Sequence, residues 1–354
     1  MLRVTRNRAD RGNSLLREAR LQLLTRLPAG WGAGEPEPAP APLDATLEVS
    51  APDRRSGSIG LIARPRLEPK EAARLVATAS EARPSTVLVV VARYLSRSTR
   101  ERLRDMNVSY LDLAGNARVA IPRPGLFIET QGATKDPDRK ARPSRSLRGP
   151  KVGRVVRALV DRKNAPGVRE IASAAGIDAG HVSRILALLD SEAVIERGRR
   201  GRIETVDWPA LLRLWAQQAP LASRGEVRTY LEPRGLPALL DRLRESGETY
   251  AVTGGFAAAR LAPVAPPRLA TLWIRDAAEA AGRLGLRQAE AGANVILIEP
   301  VDDGVFTGAA ESGGVRYAAP SQVVADLLTS PGRGPAEGEA LLEWMRDNED
   351  RWRG

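Results

Sequence analysis

The chain has 354 residues, with 54 basic and 43 acidic side chains, a formal net charge of +11 and no cysteine. This length allows two or three domains that each bury a core. The lack of cysteine excludes disulfides and thiolate metal sites, and no apolar run approaches the length that spans a membrane. The basic N-terminus has no continuous apolar segment before a small-residue cleavage site, so we expect a soluble, cytoplasmic protein.

The positive charge is unevenly distributed. Residues 1–207 carry 38 basic and 24 acidic side chains, a net charge of +14, whereas residues 208–354 carry 16 and 19, a net charge of −3. Residues 134–157 alone hold nine basic side chains against Asp136 and Asp138. Most charge runs are only solvated surface, but a basic tract beside a DNA-binding unit neutralises phosphates without recognising bases.

The first 44 residues predict a basic helix and a linker. Leu16, Leu23 and Leu27 recur among arginines, so we expect an amphipathic helix over residues 13–27 that ends at Pro28. The pattern leaves open whether this helix packs on the protein or lies on DNA. Residues 28–44 are rich in proline and predict an extended linker with little core of its own.

Residues 45–133 predict an α/β domain with a mixed sheet, because strand and helix patterns alternate. We expect helices at 69–81 and 98–105 and strands at 58–63, 86–92, 109–113, 117–121 and 126–130.

This domain resembles the PD-(D/E)xK endonuclease fold, in which acidic residues hold Mg²⁺ beside a lysine on a central strand. Here the strand at 86–93 carries neither a carboxylate nor a lysine, and Glu129 is followed by Thr130-Gln131. We therefore expect a degenerate, inactive version of that fold. Asp112 and Asn116 are predicted as turn residues that hydrogen-bond their own backbone.

A basic linker over residues 134–150 leads into a predicted winged helix-turn-helix over residues 151–207. Three segments have apolar side chains at helical spacing, and Gly176 and Asp178 supply the turn and the N-cap between the last two. Residues 194–195 and 202–203 predict the strands of a hairpin around a Gly-Arg-Arg-Gly turn. A helical hairpin that contacts other proteins is the alternative interpretation.

The sequence of the third helix predicts a face that contacts DNA, because its first turns combine small and basic side chains opposite the apolar stripe. Four arginines in the hairpin and two cations before the first helix would contact phosphates. The predicted DNA-binding residues are Gly180, His181, Ser183, Arg184, Arg197, Arg199, Arg200, Arg202, Arg148 and Lys151. His181 is the only histidine, and a solvent-facing role without DNA contact is nearly as well supported.

Residues 208–354 predict a second α/β domain, similar in pattern to nucleotidyltransferases. In those enzymes a Gly-Gly or Gly-Ser turn holds phosphates and paired carboxylates on the next strand bind metals. Gly254-Gly255 follows a predicted strand, but residues 270–274 carry no carboxylate, and Asp302 and Asp303 are expected in a solvated loop. We expect a tight glycine turn here, with a ligand pocket as the alternative. Helices are predicted at 208–218, 237–246, 277–283, 321–328 and 337–346, and strands at 249–252, 269–274 and 295–299.

Several motifs carry a family resemblance by their order along the chain: VVARYLSRSTRERL, YLDLAGNARV, the predicted winged helix, YAVTGGFAAARLAPVAPPRLATLWI and APSQVVADLL. This layout resembles actinobacterial proteins grouped with the type IV toxin-antitoxin, AbiEi-like antitoxins and transcriptional regulators. The resemblance covers nearly everything after residue 57. It implies a DNA-binding regulator, commonly of its own operon.

We therefore expect a transcriptional regulator that binds specific sequences of double-stranded DNA, is not an enzyme and needs no cofactor or metal. A homodimer and a small-molecule effector for the flanking domains are left open by the sequence. Two other functions stay as alternatives: a nuclease or nucleotidyltransferase targeted by the winged helix, and a module that recognises DNA ends or damage by shape.

Overall fold

A computed structural model describes residues 14–137, 147–198 and 201–354, and these residues form a mixed α/β protein. The chain divides into two compact units. The first unit comprises residues 1–144 with 191–193, and the second comprises residues 145–190 and 194–354. Across the described ranges, no helix combines the length and apolar character needed to cross a bilayer.

The first unit is built on a sheet of eight strands. Its middle strands β4, β5 and β6 are parallel, and antiparallel strands extend the sheet on both sides, in the order β1-β3-β4-β5-β6-β7-β8, with β2 also paired to β3. The strands are β1 (Gly32–Ala33), β2 (Glu37–Pro38), β3 (Ala45–Ser50), β4 (Ser56–Ala63), β5 (Val87–Ala92), β6 (Ser109–Asp112), β7 (Ala117–Ile121) and β8 (Leu126–Thr130).

Helices cover both faces of this sheet. The helix α1, residues 14–24, packs its leucines in one cluster with Val89 and Val91. The helix α2 (Pro69–Ala82) packs in a second cluster with Leu88 and Val90, and Leu103 of α3 (Arg97–Asp105) lies in the same cluster. Successive side chains of β5 therefore point into two different cores, which explains why this strand is apolar throughout.

The structure differs from the linker prediction for residues 28–44. Two short strands, β1 and β2, pair with β3, and Ala33 and Leu43 are buried. The structure also answers the question left open for the N-terminal helix, because Leu15, Leu16 and Leu23 are buried against the sheet. Residues 14–44 thus contribute to the core of the first unit.

The second unit begins with three helices and a two-stranded antiparallel hairpin. Each helix buries the apolar side chains that recur at helical spacing, such as Val155 in the first and Leu186 in the third. The elements are α4 (Pro150–Val160), α5 (Val168–Ala175), α6 (Ala179–Ser191), β9 (Ile195–Arg197) and β10 (Ile203–Val206).

The rest of the second unit is a seven-stranded mixed sheet with helices, in the strand order β14-β11-β15-β13-β12-β17-β16. The strands are β11 (Gly225–Leu231), β12 (Tyr250–Thr253), β13 (Ala270–Ile274), β14 (Arg287–Gln288), β15 (Val295–Pro300), β16 (Ala310–Ser312) and β17 (Val315–Tyr317). The helices are α7 (Trp208–Gln218), α8 (Leu236–Glu245), α9 (Gly254–Ala258), α10 (Ala277–Arg283), α11 (Pro320–Leu327), α12 (Gly334–Asp347) and α13 (Glu349–Trp352).

One hydrophobic cluster runs through the whole second unit. It joins buried side chains of α4, α5 and α6 to those of α7, the sheet, α11 and α12. The three-helix segment and the C-terminal sheet were predicted as separate domains, but their apolar side chains pack in one continuous core.

Candidate nucleic-acid interface

The turn between α5 and α6 is fixed by two local features. Gly176 ends α5 with φ of 65°, a left-handed conformation that favours glycine, and Ile177 N–H then bonds back to the Ala172 carbonyl at 3.1 Å. Asp178 caps α6, because its carboxylate accepts the backbone N–H of His181 at 2.7 Å. This bond lowers the pKa of the Asp178 carboxyl below its usual value. The charged cap therefore holds the start of α6 at neutral pH.

The helix α6 separates a buried stripe from an exposed face. Val182, Ile185, Leu186 and Leu189 are buried, as their spacing predicts. On the other side Gly180, Ser183 and Arg184 are exposed and His181 is partly buried. The four predicted contact residues of α6 thus lie outside its core stripe.

Arg184 reaches back along α6 toward its first turn. A Cβ built on Gly180 would lie 3.9 Å from a terminal nitrogen of Arg184 and 3.1 Å from the Asp178 carboxylate. A larger side chain at Gly180 would therefore crowd both groups. The guanidinium and the bare backbone of Gly180 together form a small surface without apolar side chains.

The hairpin β9–β10 follows directly after α6. Ile203 pairs with Arg197 in the antiparallel register, and Gly198 N–H donates to the Arg202 carbonyl at 2.9 Å, closing the turn. Arg202 is exposed, whereas Arg197 turns its Nε toward the Gly201 carbonyl at 3.4 Å. Arg199 and Arg200, the other two predicted contacts of this hairpin, lie outside the described residues.

Two carboxylates flank the arginines of the hairpin, and the sequence interpretation overlooked them. Glu196 accepts the Thr205 hydroxyl at 3.1 Å, and Glu204 lies against Gly198 at the base of the turn. Their positions were readable from the sequence, since Glu196 and Glu204 immediately bracket residues 197–203. The base of the hairpin is therefore of mixed charge, and its basic character depends on the turn.

The last two predicted contacts lie at the start of α4. Lys151 is exposed, and Arg148 is exposed but donates its Nε to the Gln218 carbonyl at 3.1 Å. Arg148 is thus held at the C-terminus of α7. Neither residue belongs to α6 or the hairpin, so phosphate contact by this pair stays a separate prediction.

The carboxylates of the endonuclease-like pattern are engaged in structural contacts. Asp112 is fully buried, accepts Leu95 N–H at 3.0 Å, and accepts the backbone and side-chain nitrogens of Asn116 at 2.8 and 2.9 Å. The predicted turn with its own hydrogen bonds is therefore confirmed. Glu129 pairs with Arg104. Among the described residues, no three His, Asp or Glu side chains converge in a way that would hold a metal ion.

The glycine pair of the nucleotidyltransferase-like pattern forms the expected tight turn and also lines a cavity. Gly254 has φ of 67°, as a tight turn requires, and Gly254-Gly255 also lines a cavity of about 200 Å³ with Arg268, Arg333 and Glu337. The expectation of a solvated Asp302-Asp303 loop was wrong for Asp302, which is half-buried, whereas Asp303 is exposed as expected. Asp302 pairs with Arg154 through two bonds of 2.7 and 2.9 Å, and Asp303 pairs with Arg275. The arginines that hold this loop lie far away in sequence, which a local pattern does not reveal.

No protein-family model, no curated protein and no solved structure matches this chain.

Proposed function

We propose that α4, α5, α6 and the hairpin form a winged helix-turn-helix that binds double-stranded DNA. The observation that carries the proposal is the exposed face of α6, where Gly180, Ser183 and Arg184 lie opposite a fully buried apolar stripe. An α-helix fits the major groove, and short side chains in its first turns let the backbone approach the base edges. Arg184 is the side chain best suited to a bidentate contact with guanine.

The charge distribution supports the same proposal. The wing turn carries Arg199 and Arg200 in sequence, and Arg202 beside it is exposed. The tract over residues 134–157 precedes α5 and α6 with a large excess of cations. Cations placed around a recognition helix contact phosphates and fix its register on the duplex.

The biological role that fits is a sequence-specific transcriptional regulator that binds operator sequences of its own operon, in the manner of AbiEi-like antitoxins. Repression is the simplest mode of such regulation. The flanking α/β regions then serve as supports that carry the endonuclease-like and nucleotidyltransferase-like patterns without their acidic ligands. Cleavage of DNA or transfer of nucleotides is not part of the proposal.

The test is a binding selection from a random duplex library, run with the intact protein with and without Mg²⁺. We expect an enriched motif and, for about six phosphate contacts, a slope of log K against log salt near −5. Arg184→Ala should weaken binding to the selected site by roughly 1–3 kcal/mol and binding to random duplex much less. Arg346→Ala removes an exposed cation from α12 and serves as the matched control.

Four outcomes would overturn the proposal or redirect it. A slope of log K against log salt near zero would contradict DNA binding itself. If Arg184→Ala lost the same affinity for the selected site and for random duplex, Arg184 would be assigned as a phosphate contact. Tight binding without any enriched motif would favour a module that recognises DNA shape, and duplex products cut only with Mg²⁺ would favour an enzyme.

A further inference from the structure

The second unit contains a cavity of about 210 Å³ at the start of α4. Its walls come from α4, α7, α11 and the loop at 301–305. A single water needs only about 10–15 Å³ by this measure, so the cavity has room for a much larger molecule. Four arginines and one carboxylate line it: Arg148, Arg154, Arg157, Arg224 and Asp302.

Arg157 is the unusual member of this set, because it is a buried cation without a carboxylate partner. Only 3% of its surface is exposed. Its guanidinium donates to neutral oxygens, namely the carbonyls of Gly304 and Thr307 and the Gln322 side chain. Its Nε has no hydrogen-bond partner in the described structure. Burial lowers the pKa of Arg157, and the negative charges of Asp161, Asp326 and Asp302 only partly oppose this shift.

The two neighbouring arginines each face a carboxylate, although burial also lowers the pKa of Arg224 and its Nε has no hydrogen-bond partner in the described structure. Arg154 forms its bidentate pair with Asp302, and Arg224 lies 2.9 Å from the Asp326 carboxylate. Asp326 is fully buried and also accepts the Trp273 indole at 2.7 Å, so its charge is already shared among several donors. Among the described residues, Arg157 therefore has nearby carboxylates but none in an ion pair with it, and Arg148 adds a second cation at the exposed rim.

The start of α4 strengthens this positive field. Gly149 and Pro150 line the cavity together with Gly153, so the first turn of this 11-residue helix opens onto it. The dipole of a helix N-terminus favours an anion, although here Pro150 has no N–H and Val152 N–H already donates to the Gly149 carbonyl at 3.2 Å. Combined with the buried, unpartnered Nε of Arg157, this arrangement calls for a negatively charged occupant.

One part of the cavity wall is apolar and planar. The Trp215 indole lies against Gly153, where an added Cβ would come within 2.8 Å of the ring, and Arg224 stacks 4.9 Å from the ring centroid. Ala219 and Val305 complete this wall. A bare inorganic ion would leave these surfaces unfilled, whereas an organic anion would contact them.

We propose that this cavity is a binding site for a small organic anion, whose carboxylate or phosphate group lies against Arg157, Arg148 and the start of α4 and whose apolar body packs on Trp215. None of the wall residues belongs to α6 or the hairpin, although Arg148, Arg154 and Arg157 belong to the basic tract over residues 134–157 and Arg148 is also a predicted DNA contact. A carboxylate and a phosphate share the chemistry that the arginines recognise.

The experiment is calorimetric titration of the full chain at constant ionic strength with four probes: benzoate, phenyl phosphate, inorganic phosphate and the neutral benzyl alcohol. We expect benzoate or phenyl phosphate to bind and benzyl alcohol not to bind; the one that binds tells which acid group the site takes. Arg157→Met should weaken binding at least about tenfold, as loss of a charged hydrogen bond does. Arg148→Ala should weaken it roughly threefold, because solvent screens an exposed charge.

Arg346→Ala on α12 is the matched control and should bind like the unaltered protein. Circular dichroism shows whether Arg157→Met folds; if it does not, Arg148→Ala carries the test. No binding of either aromatic anion at about 10 mM would overturn the proposal. So would equal affinities for inorganic and phenyl phosphate, or affinities unchanged in the folded arginine variants.

Discussion

Asp161 follows the last residue of α4 and is half-buried in the second unit. One of its carboxylate oxygens has no hydrogen-bond partner in the described structure. Burial raises the pKa of this carboxyl, and the positive charges of Arg157 and Arg353 only partly oppose the shift. The ionised form is therefore less stable in the folded protein than in the unfolded chain.

We predict that Asp161→Asn raises the melting temperature of the protein at neutral pH. A raised folded pKa means that the folded state holds the proton more tightly than the unfolded state. The stabilisation from this group is complete below the unfolded pKa of about 3.9 and is lost as pH rises through the folded pKa. The amide cannot ionise, so the variant avoids that loss.

Thermal melts of both proteins from pH 4 to pH 8 check this prediction. The difference in melting temperature should be small at the acidic end and grow toward neutral pH. Asp350→Asn is a suitable control, because Asp350 is exposed and its pKa is lowered by Lys163, which gives the opposite sign. A difference that is constant with pH would contradict a role for ionisation.

Single residues of the candidate interface were only partly predictable. The cap at Asp178 and the turn at Gly176 follow from local rules that need a few neighbouring residues. The fold-back of Arg197 onto Gly201 and the contact of Glu204 with Gly198 depend on the hairpin register. That register includes an irregularity between Ile203 and Thr205, which side-chain patterns do not specify.

At the scale of elements, α6 offers a sharp test because its two faces have opposite roles. Ile185 is 7% exposed and belongs to the core of the second unit, whereas Ser183 is exposed. We predict that Ile185→Ala lowers the free energy of unfolding by about 2–5 kcal/mol through lost contacts and a cavity. Ser183→Ala should change it by less than about 0.5 kcal/mol.

Urea unfolding followed by circular dichroism measures both values. Equal stabilities for the two variants would mean that α6 does not bury the stripe described above. A lower free energy of unfolding for Ser183→Ala alone would mean that the exposed face of α6 is packed against other residues.

Most helices and strands were predictable because their periodicity is strong, as in α2 and β5. The strand β3 was missed although Ala45, Leu47 and Val49 alternate with more exposed residues, because the preceding prolines suggested a linker. The strand β11 was missed for another reason. Its Glu226 and Arg228 give a polar pattern, and only pairing with β14 and β15 makes it part of the sheet.

At the scale of the whole molecule, the hydrophobic clusters follow the two units. Two clusters belong to the first unit, and the large cluster that spans α4 to α12 belongs to the second. We predict that a fragment of residues 147–354 folds alone and unfolds cooperatively, because its apolar core is supplied by its own residues. Far-UV circular dichroism and a thermal melt of the fragment measure this.

The matched control is a fragment of residues 208–354, which lacks α4, α5 and α6. It should be less stable, since it exposes apolar side chains of α7 that share the cluster with α4. A shorter fragment as stable as the longer one would show that the three helices form a separate folding unit, as the sequence alone suggested.

The apolar strand β5 has a consequence for the synthesis of the chain. A segment that reads Val-Leu-Val-Val-Val-Ala has the composition of an aggregation-prone strand when it is left uncovered. The residues that cover its two faces in α1 and α2 both precede it in the sequence. Since translation runs from the N-terminus, β5 leaves the ribosome after α1 and α2, so one covering helix for each face is already present when it emerges, whereas α3 and the paired strand β6 follow it.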